Sequence, residues 1–267
     1  MKLSIGLALC VLLSVSKTVY SQAISSSELE PKQIRVLCYN IHHGRGNDQQ
    51  VDLERIASVI RKSKADVIAL QEVDNQTERT GRVDQTAALA RLTGLNGKFL
   101  KQIDYEGGGY GQAILSKWTL GDAAIHWLPG SPERERRIAG SIKVESPDHS
   151  FTFISTHLHH ANSAFREHQA QEINRIFQNT VGPAILCGDM NAEPDHETIR
   201  YLRNDWILAQ STTTLLTFLA DKPTRQLDYV FFRPKSSYRL VESHVLDEPM
   251  ASDHRPLVVT LELNSGK

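Results

Sequence analysis

Short apolar runs alternate with stretches of helical period along most of the chain. Runs rich in Val, Ile and Phe recur at Ile34–Tyr39, Val67–Leu70, Ala113–Leu115, Phe151–Ser155, Ala184–Cys187, Tyr229–Phe232 and Leu257–Leu263, and each reads as a buried strand. Between them, Asp52 is placed to cap a helix whose Leu53, Ile56 and Ile60 share one face. A second helix begins near Asp84 and ends at Gly94, and Phe165, Gln169, Ile173 and Ile176 mark a third between Ala164 and Phe177. From Gln33 onward no low-complexity linker, repeat or shift in composition marks a boundary. The interleaving therefore predicts one domain of mixed α/β class over residues 32–264.

The polar residues at the strand ends change this picture. Asn40 follows the first run, Gln71-Glu72 the second, Thr156-His157 a later one, and Gly188-Asp189-Met190-Asn191 the next, whereas Asp228 and Asp253-His254 come just before their runs. For all of these to meet at one rim, the last two strands must run opposite to the earlier ones. That requires mixed or antiparallel sheets and excludes an all-parallel, doubly wound fold. Taken singly, a Glu behind a strand, an Asx turn after Gly188 or a solvated imidazole at Asp253-His254 is unremarkable. Together, Asn40, Glu72, His157, Asp189, Asn191, Asp228, Asp253 and His254 form a mostly oxygen donor set that suits Mg²⁺ or Mn²⁺ better than Zn²⁺. Neither a Cys cluster nor a His-Glu-x-x-His helix is present. Gly107-Gly-Gly109-Tyr-Gly111 lacks the Lys-Ser/Thr ending of a nucleoside triphosphate loop and reads as a tight turn.

Composition excludes more than it identifies. With 267 residues, 40% hydrophobic and 23% charged, the chain is neither disordered nor fibrous. A formal net charge of −1 offers no basic excess for holding nucleic acid by counterion release. Lys2 opens an apolar run from Leu3 to Val15 that closes on Val19-Tyr20-Ser21, the pattern of a signal peptide over residues 1–21. The run is shorter than the roughly 20 apolar residues of a membrane span. The expectation is a secreted or periplasmic protein. Cleavage after Ser21 removes Lys2 and Lys17 and leaves a mildly acidic chain. Two cysteines remain, Cys38 and Cys187. Each lies two residues before a polar strand-end residue, so both should point inward from facing sheets as unpaired thiols.

Seven strings, Val36-Leu-Cys-Tyr-Asn-Ile41, Ile68-Ala-Leu-Gln-Glu72, Ala113-Ile-Leu-Ser116, Ser155-Thr-His-Leu158, Gly188-Asp-Met-Asn191, Leu227-Asp-Tyr-Val-Phe231 and Ser252-Asp-His-Arg-Pro256, resemble in order the motifs of the endonuclease/exonuclease/phosphatase superfamily. Tyr39-Asn-Ile-His-His43 and Val73-Asp-Asn-Gln-Thr-Glu-Arg79 look most like the branch that includes the C-terminal domain of calcofluor-white-hypersensitive proteins, linked to remodelling of lipid anchors, GPI anchors among them. The resemblance implies a four-layer α/β sandwich, two mixed sheets packed face to face with helices outside. It implies that Glu72 binds the divalent cation with Asn40 and Asp253 near it. His254, paired through Asp228, would act on the attacking water or the phosphate, and His157 and Asn191 would hold phosphoryl oxygens. Asp189 would serve the water or the leaving group, and whether Asp189 or His254 takes the proton stays open.

Several residues stand beside this pattern. Gln112 occupies a position where many relatives carry Asn. His42-His43 and His159-His160 read as solvated loops rather than extra metal ligands, with pocket lining as the alternative for His42-His43. Arg137 matches a family arginine that meets substrate phosphate, although Arg136-Arg137 also reads as a solvated charge run, and Arg79 has a weaker claim as a substrate contact. The expected function is an exported hydrolase of phosphodiesters or phosphomonoesters, monomeric and without a stable protein partner. Its substrate would be a lipid headgroup, a small phosphorylated molecule, or DNA or RNA. The competing class is a silent binding module on the same fold. Apolar segments at Trp127-Leu128-Pro129 and Leu215–Leu219 read mainly as core, with lipid contact as the alternative.

Overall fold

The computed structural model describes residues 32–131 and 135–264; the leader expected over residues 1–21 lies outside them. The first sheet comprises β1 (Gln33–Asn40), β2 (Val67–Asn75), β3 (Asn96–Tyr105), β4 (Gly108–Ser116), β11 (Tyr238–Val245) and β12 (Leu257–Leu263), in the order β11-β12-β1-β2-β4-β3. The second comprises β5 (Thr119–Trp127), β6 (Ile138–Glu145), β7 (Ser150–His157), β8 (Ala184–Asp189), β9 (Ile207–Leu208) and β10 (Asp228–Arg233), in the order β5-β6-β7-β8-β10-β9. β1 and β2 are parallel, as are β7 and β8, while β12 and β10 run antiparallel to β1 and β8. This is the reversal that the strand-end residues required.

The period-two alternation of each central strand builds the layers. Val36 and Cys38 of β1 face Phe153, Ile185 and Cys187 of the second sheet in the inter-sheet core. Leu37 and Tyr39 point the other way, onto α1 (Leu53–Ser63) and α2 (Gln85–Thr93). Ile154 and Leu186 pack outward against α3 (Ser163–Phe177) and α4 (Glu197–Asp205). The result is the four-layer sandwich of two mixed sheets. Asp52, Asp84 and Asn162 cap α1, α2 and α3 by accepting from Arg55, Ala87 and Phe165 N–H at 3.0, 2.9 and 3.0 Å. Cys38 and Cys187 are buried free thiols in the inter-sheet core, as expected from their strand positions.

Some elements depart from the sequence reading. β2 does not stop before Glu72 but continues to Asn75 through a bulge between Gln71 and Val73, with Glu72 at φ 57°. Glu106 and Gly107 make the turn, at φ 43° and 72°, and Gly108–Gly111 belong to β4. β3, β5 and β11 were not anticipated; they carry many exposed polar positions because each lies at or near a sheet edge.

Candidate active site

The parallel pairs end at one rim, and their register sets the chemistry. On the second sheet His157 lies opposite Asp189, and Asp189 lies opposite Asp228 on its other side. Asp189 thus sits in the ladder between an imidazole and a second carboxylate. Gly188 permits this closeness, since a Cβ there would meet Thr156 O at 2.0 Å. His254 comes from the loop before β12, directs Nδ1 at Asp228 Oδ2 (2.8 Å), and brings Nε2 to 3.6 Å from Asp189 Oδ2. His157 Nε2 lies 3.5 Å from the same oxygen. Asn191 N–H donates to Asp189 Oδ1 at 2.8 Å, and the Asn191 amide donates to Leu158 O at 3.1 Å. The Phe218 ring covers His254 at 4.9 Å between centroids.

The first sheet supplies the other wall. Asn40 Nδ2 bridges two carboxylates, donating to Glu72 Oε1 at 3.0 Å and Asp189 Oδ2 at 3.2 Å, while Asn40 Oδ1 accepts from His42 N–H at 3.1 Å. Asn40 therefore ties the two sheets together and holds Glu72 in place. Asp253 accepts from Ser252 Oγ at 3.3 Å, and its Oδ1 is 3.8 Å from His42 Nδ1. A cavity of about 290 Å³ is lined by Glu72, Tyr110, Glu135, Arg137, His157, His160, Asp189, Asn191, Phe218, Asp253 and His254. Glu72 and Asp253 both line this cavity, Asn40 is hydrogen-bonded to Glu72, and their carboxylates are hard-oxygen donors of the kind a divalent cation takes. Glu72 makes no ion pair among the described residues, so a cation at this wall would meet a carboxylate free to bind it.

Burial polarises these groups differently. Desolvation raises Asp189 to about 7, partly offset by the His254 charge and reinforced by Asp228. Burial works against the His254 cation, but Asp228 and then Asp189 outweigh it and push this imidazole up to about 10. His157 moves the other way: burial, followed by the charges of Arg137 and His254, holds it well below the ordinary imidazole value. Burial, with Arg79 and His42 nearby, likewise lowers His43 to about 4. Near neutrality the rim thus combines an imidazolium held by Asp228, a neutral imidazole, and a carboxylate poised to take a proton.

The two candidate arginines part company. Arg137 is 2% exposed, lines the cavity, lies 3.0 Å from Glu135 Oε1, and keeps a buried Nε without a hydrogen-bond partner. Arg79 spends Nε and Nη2 on the buried Asp74, at 2.8 Å each. It lies over the Tyr105 and Tyr110 rings in an adjoining cavity of about 270 Å³ that shares Tyr110 and Glu135 with the first. Gln112 turns away from the rim and accepts from Ser155 Oγ at 2.6 Å in the polar layer between the sheets.

Three further readings are corrected. His43 is buried rather than solvated, because α2 holds its carbonyl through Gln85 Nε2 at 2.8 Å. His159 is also buried, its Nδ1 accepting from Ala161 and Asn162 N–H at 3.1 Å, whereas His160 reaches the cavity. In the two apolar segments Leu128 and Leu215 are core, and Trp127, Leu216 and Leu219 are exposed. Sequence reasoning missed Tyr110, Glu135 and Phe218 as cavity wall. Glu135 adjoins the Arg136-Arg137 run, and Phe218 lies in the Leu215–Leu219 segment, but neither position signals where its loop will fold.

The family model described as Endonuclease/Exonuclease/phosphatase family matches residues 37–254. Among solved structures, an endonuclease/exonuclease/phosphatase from Beutenbergia cavernae aligns at 23% identity over 88% of this chain and 72% of its own, with a TM-score of 0.70. The catalytic domain of human Nocturnin with bound sulfate aligns at 24% identity over 87% and 95% of the two chains, TM-score 0.67. A mannosyl-6-phosphatase from Bacteroides thetaiotaomicron aligns at 18% over 85% and 99%, TM-score 0.69.

Proposed function

Because the chain belongs to the endonuclease/exonuclease/phosphatase family, we propose that it is a divalent-metal-dependent phosphoesterase that drives water in line against phosphorus. The observation that carries this reading is the convergence of the Asp228–His254 pair, Asp189, His157 and Arg137 with Glu72 and Asp253 in one cavity. Arg137 supports an anionic substrate: a buried guanidinium with an unpartnered Nε gains from a phosphoryl oxygen, which accepts charge-assisted hydrogen bonds. A neutral His157 and the Asn191 amide add donors for the oxygens that gain charge in the transition state.

Glu72 and Asp253, with Asn40 beside them, would hold Mg²⁺ or Mn²⁺, which supplies Lewis-acid neutralisation of phosphoryl charge when bound. Asp189 is the group that takes the water's proton. Its carboxylate lies at the centre of the ladder, with one oxygen steadied by Asn191 N–H. Asp228 fixes His254 by Nδ1, so the Nε2–H edge faces the reaction space and stabilises the charge that develops there. The module reading is disfavoured because His254, held by Asp228, and His157 both converge on Asp189 in one cavity, an arrangement that binding alone does not call for.

Hydrolysis of bis-p-nitrophenyl phosphate tests the proposal. Activity abolished by EDTA and restored by Mg²⁺ or Mn²⁺ is the expected result, and silence across several phosphodiesters and monoesters would sink it. A panel of phosphatidylinositol, sphingomyelin, sugar phosphates, plasmid DNA and RNA identifies the group beyond the phosphate. Export through the leader at residues 1–21 belongs to the same proposal, and N-terminal sequencing of secreted protein beginning at Gln22 is its test.

A further inference from the structure

Two histidines beside the cation wall have no part in the chemistry above. His42 and His43 follow β1 directly, and one ring nitrogen of each lies within 4.8 Å of the other and of a Glu72 carboxylate oxygen. The His43 side chain is 7% exposed, and its Nδ1 is buried with no hydrogen-bond partner. An unpartnered buried polar atom is destabilising unless something outside the protein satisfies it. Two imidazoles and one carboxylate thus share one small volume, and His42 Nδ1 also faces Asp253 Oδ1 at 3.8 Å.

The turn that carries the two rings is held from several sides. His42 N–H donates to Asn40 Oδ1, Gly44 N–H to Ile41 O at 2.8 Å, and Gln85 Nε2 to His43 O at 2.8 Å, while Gln85 Oε1 accepts from Asp74 N–H at 2.9 Å. The two rings meet edge to face, with centroids 4.6 Å apart. Such outer hydrogen bonds preorganise a ligand set before an ion arrives. Imidazole nitrogen favours borderline first-row ions, whereas Mg²⁺ prefers oxygen and retained water.

We propose that His42 and His43 join Glu72 in holding the cation, and that this protein takes a transition-metal ion of the Mn²⁺ or Zn²⁺ class in preference to Mg²⁺. The inference rests on the reading that a divalent cation sits at Glu72. It adds nitrogen donors that the hard-oxygen set alone does not contain, and a cation on either nitrogen of His43 fixes the ring's tautomer.

Binding is measured on untagged, EDTA-stripped protein by calorimetric titration with Zn²⁺, Mn²⁺ and Mg²⁺, and by pulsed electron paramagnetic resonance of the Mn²⁺-loaded protein. Asparagine is the replacement of choice, because it tolerates the φ of 46° at both positions and brings no imidazole. His42→Asn and His43→Asn should each weaken Mn²⁺ and Zn²⁺ binding at least ~10-fold and leave Mg²⁺ binding within ~3-fold. The wild-type resonance should show imidazole ¹⁴N modulation, reduced in each variant and lost in the double variant. Mn²⁺ bound without that modulation, or Mg²⁺ bound as tightly as Mn²⁺ and Zn²⁺, overturns the inference. The wild-type spectrum decides the matter even if a variant does not fold. Ester hydrolysis without imidazole coupling would leave the phosphoesterase reading standing and this inference fallen. Imidazole coupling without hydrolysis of any ester would do the reverse.

Discussion

The two sheets are built alike and used differently. Each runs through strand, helix, strand, helix and two more strands, with a parallel pair at its centre flanked by antiparallel neighbours: β1 and β2 with α1 in the first, β7 and β8 with α3 in the second. Each accepts its remaining hairpin from the other half of the chain, β11-β12 in one case and β5-β6 in the other. In register, Asn40 faces Gln71 where His157 faces Asp189. The first sheet places its carboxylate one residue later, on the bulge at Glu72, where it turns into the cavity half-buried. The second keeps Asp189 in the flat ladder, 1% exposed between His157 and Asp228. One insertion in a strand therefore separates a carboxylate suited to a cation from one suited to a proton. Asn40 Nδ2, touching both, is the seam between them.

Removing one key group from each half is the most severe way to test this division. Glu72→Ala and His254→Ala should each cut turnover of bis-p-nitrophenyl phosphate at least ~100-fold. The comparison sharpens in the rescue: high Mn²⁺ should recover part of the Glu72→Ala loss and none of the His254→Ala loss. Near-wild-type rates in either variant, or equal rescue of both, would remove the division of labour.

The ladder itself comes next. Leu70 fits beside β1, whereas Gly188, one residue before Asp189, has no room for a methyl group, with Thr156 O only 2.0 Å from an ideal Cβ. Gly188→Ala should destabilise the fold by about 2 kcal/mol or more, as overpacking against backbone does, and lower the melting temperature accordingly. An unchanged melting temperature would mean that the second pair of strands is no tighter than the first.

How much of this was legible beforehand follows from where each side chain sits. β1, β2, β8, β10 and β12 are buried along most of their length, so their apolar runs announce them. Lys98, Lys101 and Asp104 break the pattern of β3, which keeps one side in water and so reads as loop. The likeness of the two halves left no sequence repeat, because a shared topology constrains which positions are apolar and not which residues fill them. The site residues were legible as polar groups ending buried strands, a placement with a desolvation cost that only pairing or a ligand offsets. His43 was not: its burial depends on Gln85, 42 positions away, and no local pattern reports that contact.

A smaller effect separates the two carboxylates by pH in metal-free protein. Asp189 is raised from 3.8 to about 7, by burial above all. A group shifted upward on folding contributes stability that is complete below its unfolded value of 3.8 and is lost as the pH rises through about 7. Asp189→Asn escapes that loss, so its melting temperature in EDTA should gain on wild type as the pH rises from about 4 to 7, by at least roughly 2–4 °C, and the gain should level off above that. An equal gain from Glu72→Gln would erase the contrast between bulge and ladder.

The smallest effect contrasts the two arginines. Arg137 lies in the cavity with an unpartnered Nε, and Arg79 is committed to Asp74 outside it. Arg137→Ala should lower kcat/KM for a small phosphate ester at least ~10-fold, the scale of one charge-assisted hydrogen bond to the reacting group. Arg79→Lys should leave the same constant within ~3-fold, since lysine retains a charge for Asp74 and Arg79 does not line the phosphate cavity. Steady-state kinetics with a small ester is the measurement. A loss at Arg79 equal to that at Arg137 would mean that the two cavities act as one, and that Asp74 positions the Arg79 guanidinium for substrate instead of only neutralising it.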